Sequence, residues 1–190
     1  VVIVGGGEQA AQKCRLMLKT EARIVLAWPA LDPELDGLAA AGRIDWHRGA
    51  IDAGLFDGAA LAFVATECPA SAAAIHGLAQ AAGVPVNVVD QPDLCTAITP
   101  SIVDRDPVVV AIGTEGNAPV LARQIKTRME EMLEPRLGDF VSLAGRLRSA
   151  VARSVPSSSD RRAFWRWAFS GEPRQLHRGG SERAAADALK

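Results

Sequence analysis

The residue of this sequence best placed to do chemistry is Asp90, which directly follows the stretch Asn87-Val88-Val89 at the end of a short, mainly apolar run. A short apolar run of this kind indicates a buried strand, and the carboxyl end of a strand is where open α/β sheets bind ligands. A carboxylate at that edge can accept a proton as a general base. The alternative is an Asx turn into Gln91-Pro92, in which the side chain bonds the neighbouring backbone.

A second motif, Gly5-Gly6-Gly7-Glu8-Gln9-Ala10, follows the apolar run Val1–Val4 and satisfies the pattern G-x-G-x-x-G/A. The first glycine of this pattern permits a tight turn, the second lets the backbone approach a pyrophosphate, and the last small residue keeps helix and strand close. The helix start adds unpaired N–H groups and a positive dipole end. The motif therefore predicts a dinucleotide site, and the alternative is a tight turn without a ligand.

The acidic residue that usually binds the cofactor ribose is missing from the end of the second strand, where the sequence reads Ala27-Trp28-Pro29-Ala30. Asp32 lies slightly beyond this point, and Arg23 precedes the strand. These residues therefore do not show whether the chain prefers NAD or NADP. Thr66 follows the apolar run Ala60–Ala65, so we expect it beside the nicotinamide half of the cofactor, as an N-cap of the next helix, or both.

Short apolar runs alternate with helical patterns over residues 1–99, which is the βαβ rhythm of a parallel sheet covered on both faces. We therefore predict an α/β fold with a Rossmann-like doubly wound parallel sheet over residues 1–99. Residues 100–134 are expected to form two strands, as a hairpin or as extension strands, and a long amphipathic helix. A small all-helical domain follows over 135–178, and residues 179–190 form a linker or tail. The expected strands are Val1–Val4, Arg23–Ala27, Ile44–His47, Ala60–Ala65, Val86–Val89, Ser101–Asp104 and Val108–Ile112, and the expected helices are Gln9–Lys19, Pro33–Ala41, Ala70–Ala82, Ala118–Leu133, 138–153 and 160–170.

Charge is distributed unevenly, although the net charge is only −1. Residues 1–135 carry 10 Lys/Arg and 17 Asp/Glu, whereas residues 136–178 carry 9 Arg and 3 Asp/Glu. Arginine suits bidentate binding of carboxylates or phosphates, and a solvated helix surface is the alternative. The aromatic cluster Phe164-Trp165-Arg166-Trp167 is expected to pack between helices, so the basic region does not resemble a nucleic-acid surface.

Cys14, Cys68 and Cys95 are scattered, without a C-x-x-C pair or a nearby histidine cluster. This argues against a disulfide framework or a zinc site and is typical of spectator cysteines in a reducing cytoplasm. We therefore predict a cytoplasmic protein without metal ligands of its own. No apolar run approaches the roughly 18 residues of a membrane span.

Taken together, six sequence blocks resemble the precorrin-2 dehydrogenase/sirohydrochlorin ferrochelatase module of siroheme synthase. They follow the family's order over residues 1 to about 125, and Leu137-Gly138 and Arg161–Phe169 resemble it more loosely. The blocks are Val2–Gly7 with Ala10 and Lys13, Val64-Ala65-Thr66, Asn87–Asp90, Pro100–Arg105, Ala111–Thr114 and Gly116–Arg123.

The resemblance implies an NAD-dependent oxidoreductase of porphyrin, siroheme and cobalamin biosynthesis that converts precorrin-2 to sirohydrochlorin. Many members then insert ferrous iron to give siroheme, a lyase activity that makes them multifunctional enzymes. Asp90 matches the family's catalytic aspartate, which is thought to accept protons in both steps. By the same matching, the cofactor contacts are Gly5, Gly6, Gly7, Glu8, Gln9, Pro29, Ala30 and Thr66.

The tetrapyrrole substrate carries many carboxylates, and iron is a second substrate. The expected substrate contacts are Arg105, Thr114, Asn117 and Arg123, with Arg146, Arg148 and Arg153 as further candidates. The resemblance also implies a homodimer that exchanges the segment matched by 101–133, and a fused methyltransferase beyond residue 190 in longer relatives. No nucleic-acid or membrane partner is expected. A dehydrogenase-only homologue and a non-catalytic dinucleotide-binding regulatory module are the alternatives.

Overall fold

The computed structural model describes residues 1–189, which divide into two compact units, Val1–Thr99 and the residues from Pro100 onward. Within the residues described, no helix has both the length and the apolar character needed to cross a lipid bilayer.

The first unit is a five-stranded parallel sheet with the strand order β3-β2-β1-β4-β5. The helices and strands that the sequence predicts for this unit are present, with bounds within two residues of those expected. Two short 3-10 helices, Ala53–Phe56 and Pro92–Leu94, were not predicted. The elements are β1 (Val2–Val4), α1 (Glu8–Met17), β2 (Val25–Ala27), α2 (Pro33–Ala40), β3 (Asp45–His47), β4 (Ala62–Val64), α3 (Pro69–Ala81) and β5 (Val86–Val88).

The sheet of the first unit is covered on both faces, which confirms the doubly wound prediction. Successive strand residues point to opposite sides, so Val2 and Val4 pack with α3 while Ile3 packs with α1 and α2. The register pairs Val4 with Ala27 on β2 and with Val64 on β4. The three central strands therefore end level, and the loops that follow them meet at one edge of the sheet.

The second unit opens with an antiparallel hairpin of β6 (Ser101–Arg105) and β7 (Val108–Ile112), which decides between the two arrangements that the sequence left open. The helix α4 (Pro119–Met132) packs on β6, and Val103 and Ala122 are buried. An amphipathic helix on a two-stranded ribbon hides only one face of each element, so the other faces stay open.

Four helices complete the second unit: α5 (Leu137–Ser154), α6 (Ser158–Ser170), α7 (Glu172–Arg178) and α8 (Glu182–Ala188). Trp167 of the predicted aromatic cluster is 41% exposed, whereas Phe164 and Trp165 pack against the core that these helices form, with their rings 5.0 Å apart. This is the packing role that the sequence favoured over a nucleic-acid surface.

The stretch 179–190, expected to be a linker or tail, contains the helix α8 instead. Ala185 and Leu189 are 0% and 2% exposed and pack against Phe140 and Ala168 in the helical core. These two apolar positions lie one helical turn apart, and the polar residues around them face solvent. Two positions are too few to register as helical periodicity in the sequence.

Two glycines of α5 predict opposite effects on stability. A Cβ at Gly138 would overlap the carbonyl oxygens of Arg105 and Asp106, whereas a Cβ at Gly145 meets nothing within 4 Å. Gly138→Ala should therefore lower the free energy of unfolding by about 2–3 kcal/mol, because backbone cannot move aside cheaply. Gly145→Ala should raise it by about 0.5–1 kcal/mol, because alanine loses less entropy in a helix.

Urea denaturation of the two variants beside the wild-type chain checks this pair. Equal stability of the two variants would contradict the close packing of α5 on the hairpin turn.

Candidate active site

The glycine loop after β1 packs tightly against neighbouring backbone on one side and is open to solvent on the other. Gly5 has φ +146°, and a Cβ there would overlap the Ala65 carbonyl, while a Cβ at Gly6 would overlap the Ala30 carbonyl. A Cβ at Gly7 would meet nothing within 4 Å. The first two glycines thus bring the loop close to the sheet, and the third leaves room for a ligand against the backbone.

The amino end of α1 is available to an anion. Its N-cap is Gly7, and across residues 1–189 no side chain caps it. Glu8 lies in the first turn, but it accepts from Arg15 at 2.5 Å, and Arg15 also pairs with Glu34 at 2.6 Å. The hydrogen bond from Arg15 lowers the pKa of Glu8, so its negative charge is paired. Together with the open face of Gly7, this uncapped end fits a cofactor pyrophosphate.

The segment after β2 lies against the glycine loop. The Asp32 backbone N–H donates to the Gly6 carbonyl at 2.8 Å, and Pro29 and Ala30 are exposed beside it. The Asp32 side chain accepts from the Leu35 N–H at 2.9 Å and so caps α2. Asp32 is therefore engaged as a helix cap through its Oδ1 atom.

Thr66 follows β4 and is 8% exposed. Its hydroxyl donates to the Cys68 carbonyl at 3.3 Å, and Cys68, not Thr66, is the N-cap of α3. The structure therefore does not support the N-cap role for Thr66. Thr66 lies one position beyond Ala65, the residue that Gly5 touches, at the carboxyl edge of the parallel strands β1 and β4, where the strand order reverses.

Asp90 lies just beyond β5 with φ +60°, a left-handed conformation that Asp and Asn adopt more readily than most residues. It is exposed, and its Oδ2 accepts from Gln9 Nε2 at 2.9 Å. Within residues 1–189 its carboxylate makes no Asx-turn bond to the following backbone. The structure therefore joins the acid directly to the first turn of the glycine-loop helix.

Lys13, to which the sequence alone gives no role, lies on the same helix as Gln9. Lys13 stands one helical turn after Gln9, and its Nζ lies 5.3 Å from the centroid of the buried Phe63 ring. Burial lowers the pKa of Lys13, and the charges of Cys95 and Asp90 act in the opposite direction. The i, i+4 spacing of Gln9 and Lys13 is the signal that could have identified them as a pair.

The predicted substrate contacts belong to the second unit. Arg105 donates to the carbonyls of Asp104, Leu133 and Glu130 at 3.0, 3.4 and 3.5 Å, so it ties the hairpin to the end of α4. The Thr114 hydroxyl accepts from the Ala118 N–H at 3.4 Å.

Asn117 and Arg123 are exposed near the start of α4. Their side chains, unlike that of Arg105, are accessible to a ligand. In the described part of the chain, no three His, Cys, Asp or Glu residues gather as a metal site would require.

Comparison with known proteins gives two family matches. Residues 1–101 match the family model described as "Putative NAD(P)-binding", and residues 136–190 match the "Sirohaem synthase dimerisation region". The matched dimerisation region is therefore the four-helix part of the second unit. The preceding segment 101–133, for which exchange between subunits is expected, lies outside this match. The match also includes the stretch expected to be a linker.

Curated relatives match along 90% to 100% of this chain. Siroheme synthase of Methylobacillus flagellatus is 39% identical over 189 residues, covering 100% of this chain and 40% of that protein. Siroheme synthase of Neisseria meningitidis serogroup C is 40% identical over 171 residues, covering 90% of this chain and 35% of that protein. The chain thus spans well under half the length of these relatives.

A solved structure shares the fold. The structure of "SirC, precorrin-2 dehydrogenase" aligns with a TM-score of 0.72 at 18% identity and covers 99% of this chain and 92% of that chain.

The open face of the glycine loop predicts a binding defect without a folding defect. Gly7→Val should weaken NAD binding at least about tenfold, because the branched side chain fills the space beside the helix end. Gly7 has the extended conformation that valine favours, so the fold should be retained. Isothermal titration with NAD measures the first effect, and thermal unfolding the second.

Gly77→Val is the matched control, because a Cβ at Gly77 on α3 also meets nothing within 4 Å. It should bind NAD like the wild type. Equal affinity of the Gly7 variant would mean that the loop does not hold the cofactor.

Proposed function

We propose, on the premise that this chain belongs to the siroheme synthase family, that it oxidises precorrin-2 to sirohydrochlorin with NAD as the hydride acceptor. The observation that supports this most is the 2.9 Å hydrogen bond between Gln9 and Asp90. It places a carboxylate next to the loop that fits a dinucleotide. A pure binding module needs the loop but has no use for an exposed acid beside it.

The proposed reaction removes a hydride and a proton from the reduced tetrapyrrole. NAD supplies the chemistry for the hydride, which leaves with two electrons. Asp90 takes the proton as general base and passes it to water, for which its exposed position is suited. Gly7 and the amino end of α1 hold the pyrophosphate, and Thr66 lies at the nicotinamide side of the junction between β1 and β4.

We also propose iron insertion as a second activity at the same acid. Metal insertion requires loss of the pyrrole protons of sirohydrochlorin, and Asp90 can accept them in the same position. Iron is then a substrate held by the macrocycle. The alternative is a dehydrogenase that leaves chelation to another protein. Adding ferrous iron after the first reaction distinguishes the two, because only a chelatase would then form siroheme.

The active protein is proposed to be a homodimer. Residues 136–190 match a dimerisation region, and the preceding segment leaves large apolar side chains exposed. Val109 on β7 and Val120, Leu121 and Met132 on α4 are 58%, 65%, 50% and 61% exposed. These side chains lie on the open faces of the hairpin and helix, and a second copy of the chain would cover them.

The role proposed for Asp90 predicts a loss of turnover without a loss of cofactor binding. Asp90→Asn should reduce the rate of sirohydrochlorin formation about 10²- to 10⁴-fold, because the amide cannot accept the proton. Asparagine also tolerates the left-handed backbone and can still accept from Gln9, so the fold and NAD affinity should be retained. An anaerobic assay with precorrin-2 and NAD follows NADH absorbance, and the siroheme spectrum after ferrous iron is added reports the second reaction.

Asp93→Asn, in the neighbouring 3-10 helix, is the control, because it removes the same charge as Asp90→Asn. This control should keep full activity. A fully active Asp90→Asn protein would remove this carboxylate from both reactions. Loss of siroheme formation alone would assign Asp90 to chelation and not to dehydrogenation.

If the exposed face of α4 lies in the dimer interface, a charge introduced on this face should weaken the dimer. Val120→Glu should shift the protein toward monomer, because a carboxylate would be buried at the interface. The new acid lies in the first turn of α4, where it favours the helix, so the monomer should stay folded. Light scattering coupled to gel filtration measures the mass, and Gln80→Glu on an exposed site of α3 in the first unit is the control. An unchanged dimer in the Val120 variant would exclude this face from the interface.

A further inference from the structure

Arg48 lies at the carboxyl edge of the sheet, although it is distant from the glycine loop along the chain. The register pairs Ala27 at the end of β2 with His47 at the end of β3. Trp28 and Arg48 are the next residues after these strands, so they leave the sheet level with each other. Arg48 therefore lies beside the segment that follows β2, which in a Rossmann-like fold faces the adenosine ribose of the cofactor.

A continuous series of contacts joins Arg48 to the glycine loop. Its Cζ lies 3.7 Å from the centroid of the Trp46 ring. The Trp46 Nε1 donates to the Trp28 carbonyl at 2.8 Å. The Trp28 ring lies against the loop itself, because a Cβ at Gly6 would stand 2.5 Å from Trp28 Cδ1. Two half-buried tryptophans thus connect this cation to the loop that fits the pyrophosphate.

The guanidinium group of Arg48 is oriented by the indole ring but remains free to bind. Stacking uses the face of the guanidinium and leaves the N–H groups at its edge available as donors. In the described part of the chain no carboxylate pairs with it, and the residue is exposed. Arg23, in contrast, is paired with Asp45 at 2.5 Å. An exposed, oriented arginine of this kind suits bidentate binding of a phosphate.

The segment after β2 lacks an acid at the position where it would repel such a phosphate. Trp28, Pro29, Ala30 and Leu31 are uncharged, and Asp32 caps α2 through its Oδ1 atom. In dinucleotide sites an acid at this point binds the ribose 2′-hydroxyl of NAD, whereas a nearby arginine accommodates the 2′-phosphate of NADP. The charge at this edge of the sheet is therefore the one that NADP requires.

We propose that Arg48, held by Trp46, binds the 2′-phosphate of NADP, so that this chain accepts NADP as well as NAD. The inference rests on the proposed function, which places a dinucleotide on the glycine loop, and it adds the specificity of the adenosine end. NADP differs from NAD only in this phosphate, which is remote from the nicotinamide, so the hydride transfer is the same with either cofactor. A merely solvated arginine would stack on Trp46 equally well but would not distinguish the two dinucleotides.

The first experiment compares the two dinucleotides by isothermal titration. The wild type should bind NADP with a dissociation constant within about tenfold of that for NAD. Arg48→Met keeps an apolar stem that can pack on Trp46 but removes the guanidinium. It should raise the ratio of the NADP to the NAD dissociation constant about tenfold or more, because charged hydrogen bonds to the phosphate are lost.

Arg43→Met is the matched control, because it removes the same charge from an exposed site at the amino end of β3. Its ratio of dissociation constants should equal that of the wild type. An unchanged ratio in Arg48→Met would overturn the proposal, and so would a wild type that binds NAD but shows no measurable binding of NADP.

The second experiment isolates the adenosine end with two probes that lack nicotinamide, adenosine 2′,5′-bisphosphate and AMP. The wild type should bind the bisphosphate about tenfold more tightly than AMP, and this preference should disappear in Arg48→Met. Equal affinity of the wild type for both probes would overturn the proposal.

Turnover separates a failure of this inference from a failure of the proposed function. With NADP in the anaerobic precorrin-2 assay, kcat/KM should fall about tenfold in Arg48→Met, and an unchanged value would overturn the role of Arg48. A wild type that oxidises precorrin-2 with NAD alone would refute this inference and leave the proposed function intact. A wild type that is inactive with both dinucleotides would refute the proposed function, while the two adenosine probes would still decide whether Arg48 recognises the 2′-phosphate.

Discussion

The close approach of the glycine loop to two neighbouring backbone carbonyls is the constraint on which the candidate site depends. Gly5 lies against Ala65 and Gly6 against Ala30, with no space for a side chain at either position. This contact seats the start of α1 at the junction of β1, β2 and β4. The uncapped helix end, Gln9 and Lys13 all take their positions from it.

The same helix serves two purposes at once. Its amino end offers N–H groups and a dipole to an anion, while Gln9 in its first turn donates to the Asp90 carboxylate. The candidate cofactor site and the proposed proton acceptor are thus joined through one rigid element. The pairing of Glu8 with Arg15 removes the repulsion that an acid in the first turn would exert on a phosphate.

The second unit buries only part of its apolar surface. Its helices bury a small core that includes Phe140 and Leu189, and residues 136–190 match a dimerisation region. The hairpin and α4 instead leave Val109 and Val120 open to solvent. A two-layer unit of this size cannot hide every apolar face within one chain, and the proposed homodimer would supply the missing surface.

The sequence by itself determined the parallel sheet, the glycine loop and the carboxylate at the end of β5, because hydrophobic period and turn chemistry are local properties. The sequence could not identify α8, because its burial depends on Ala185 and Leu189, which pack against residues distant in sequence, such as Phe140. Only the tertiary structure decided that Asp32 caps α2, that Arg105 ties the hairpin to α4, and that Gln9 reaches Asp90. Each of these depends on which distant atoms lie within hydrogen-bonding distance, and that is set by packing rather than by spacing along the chain.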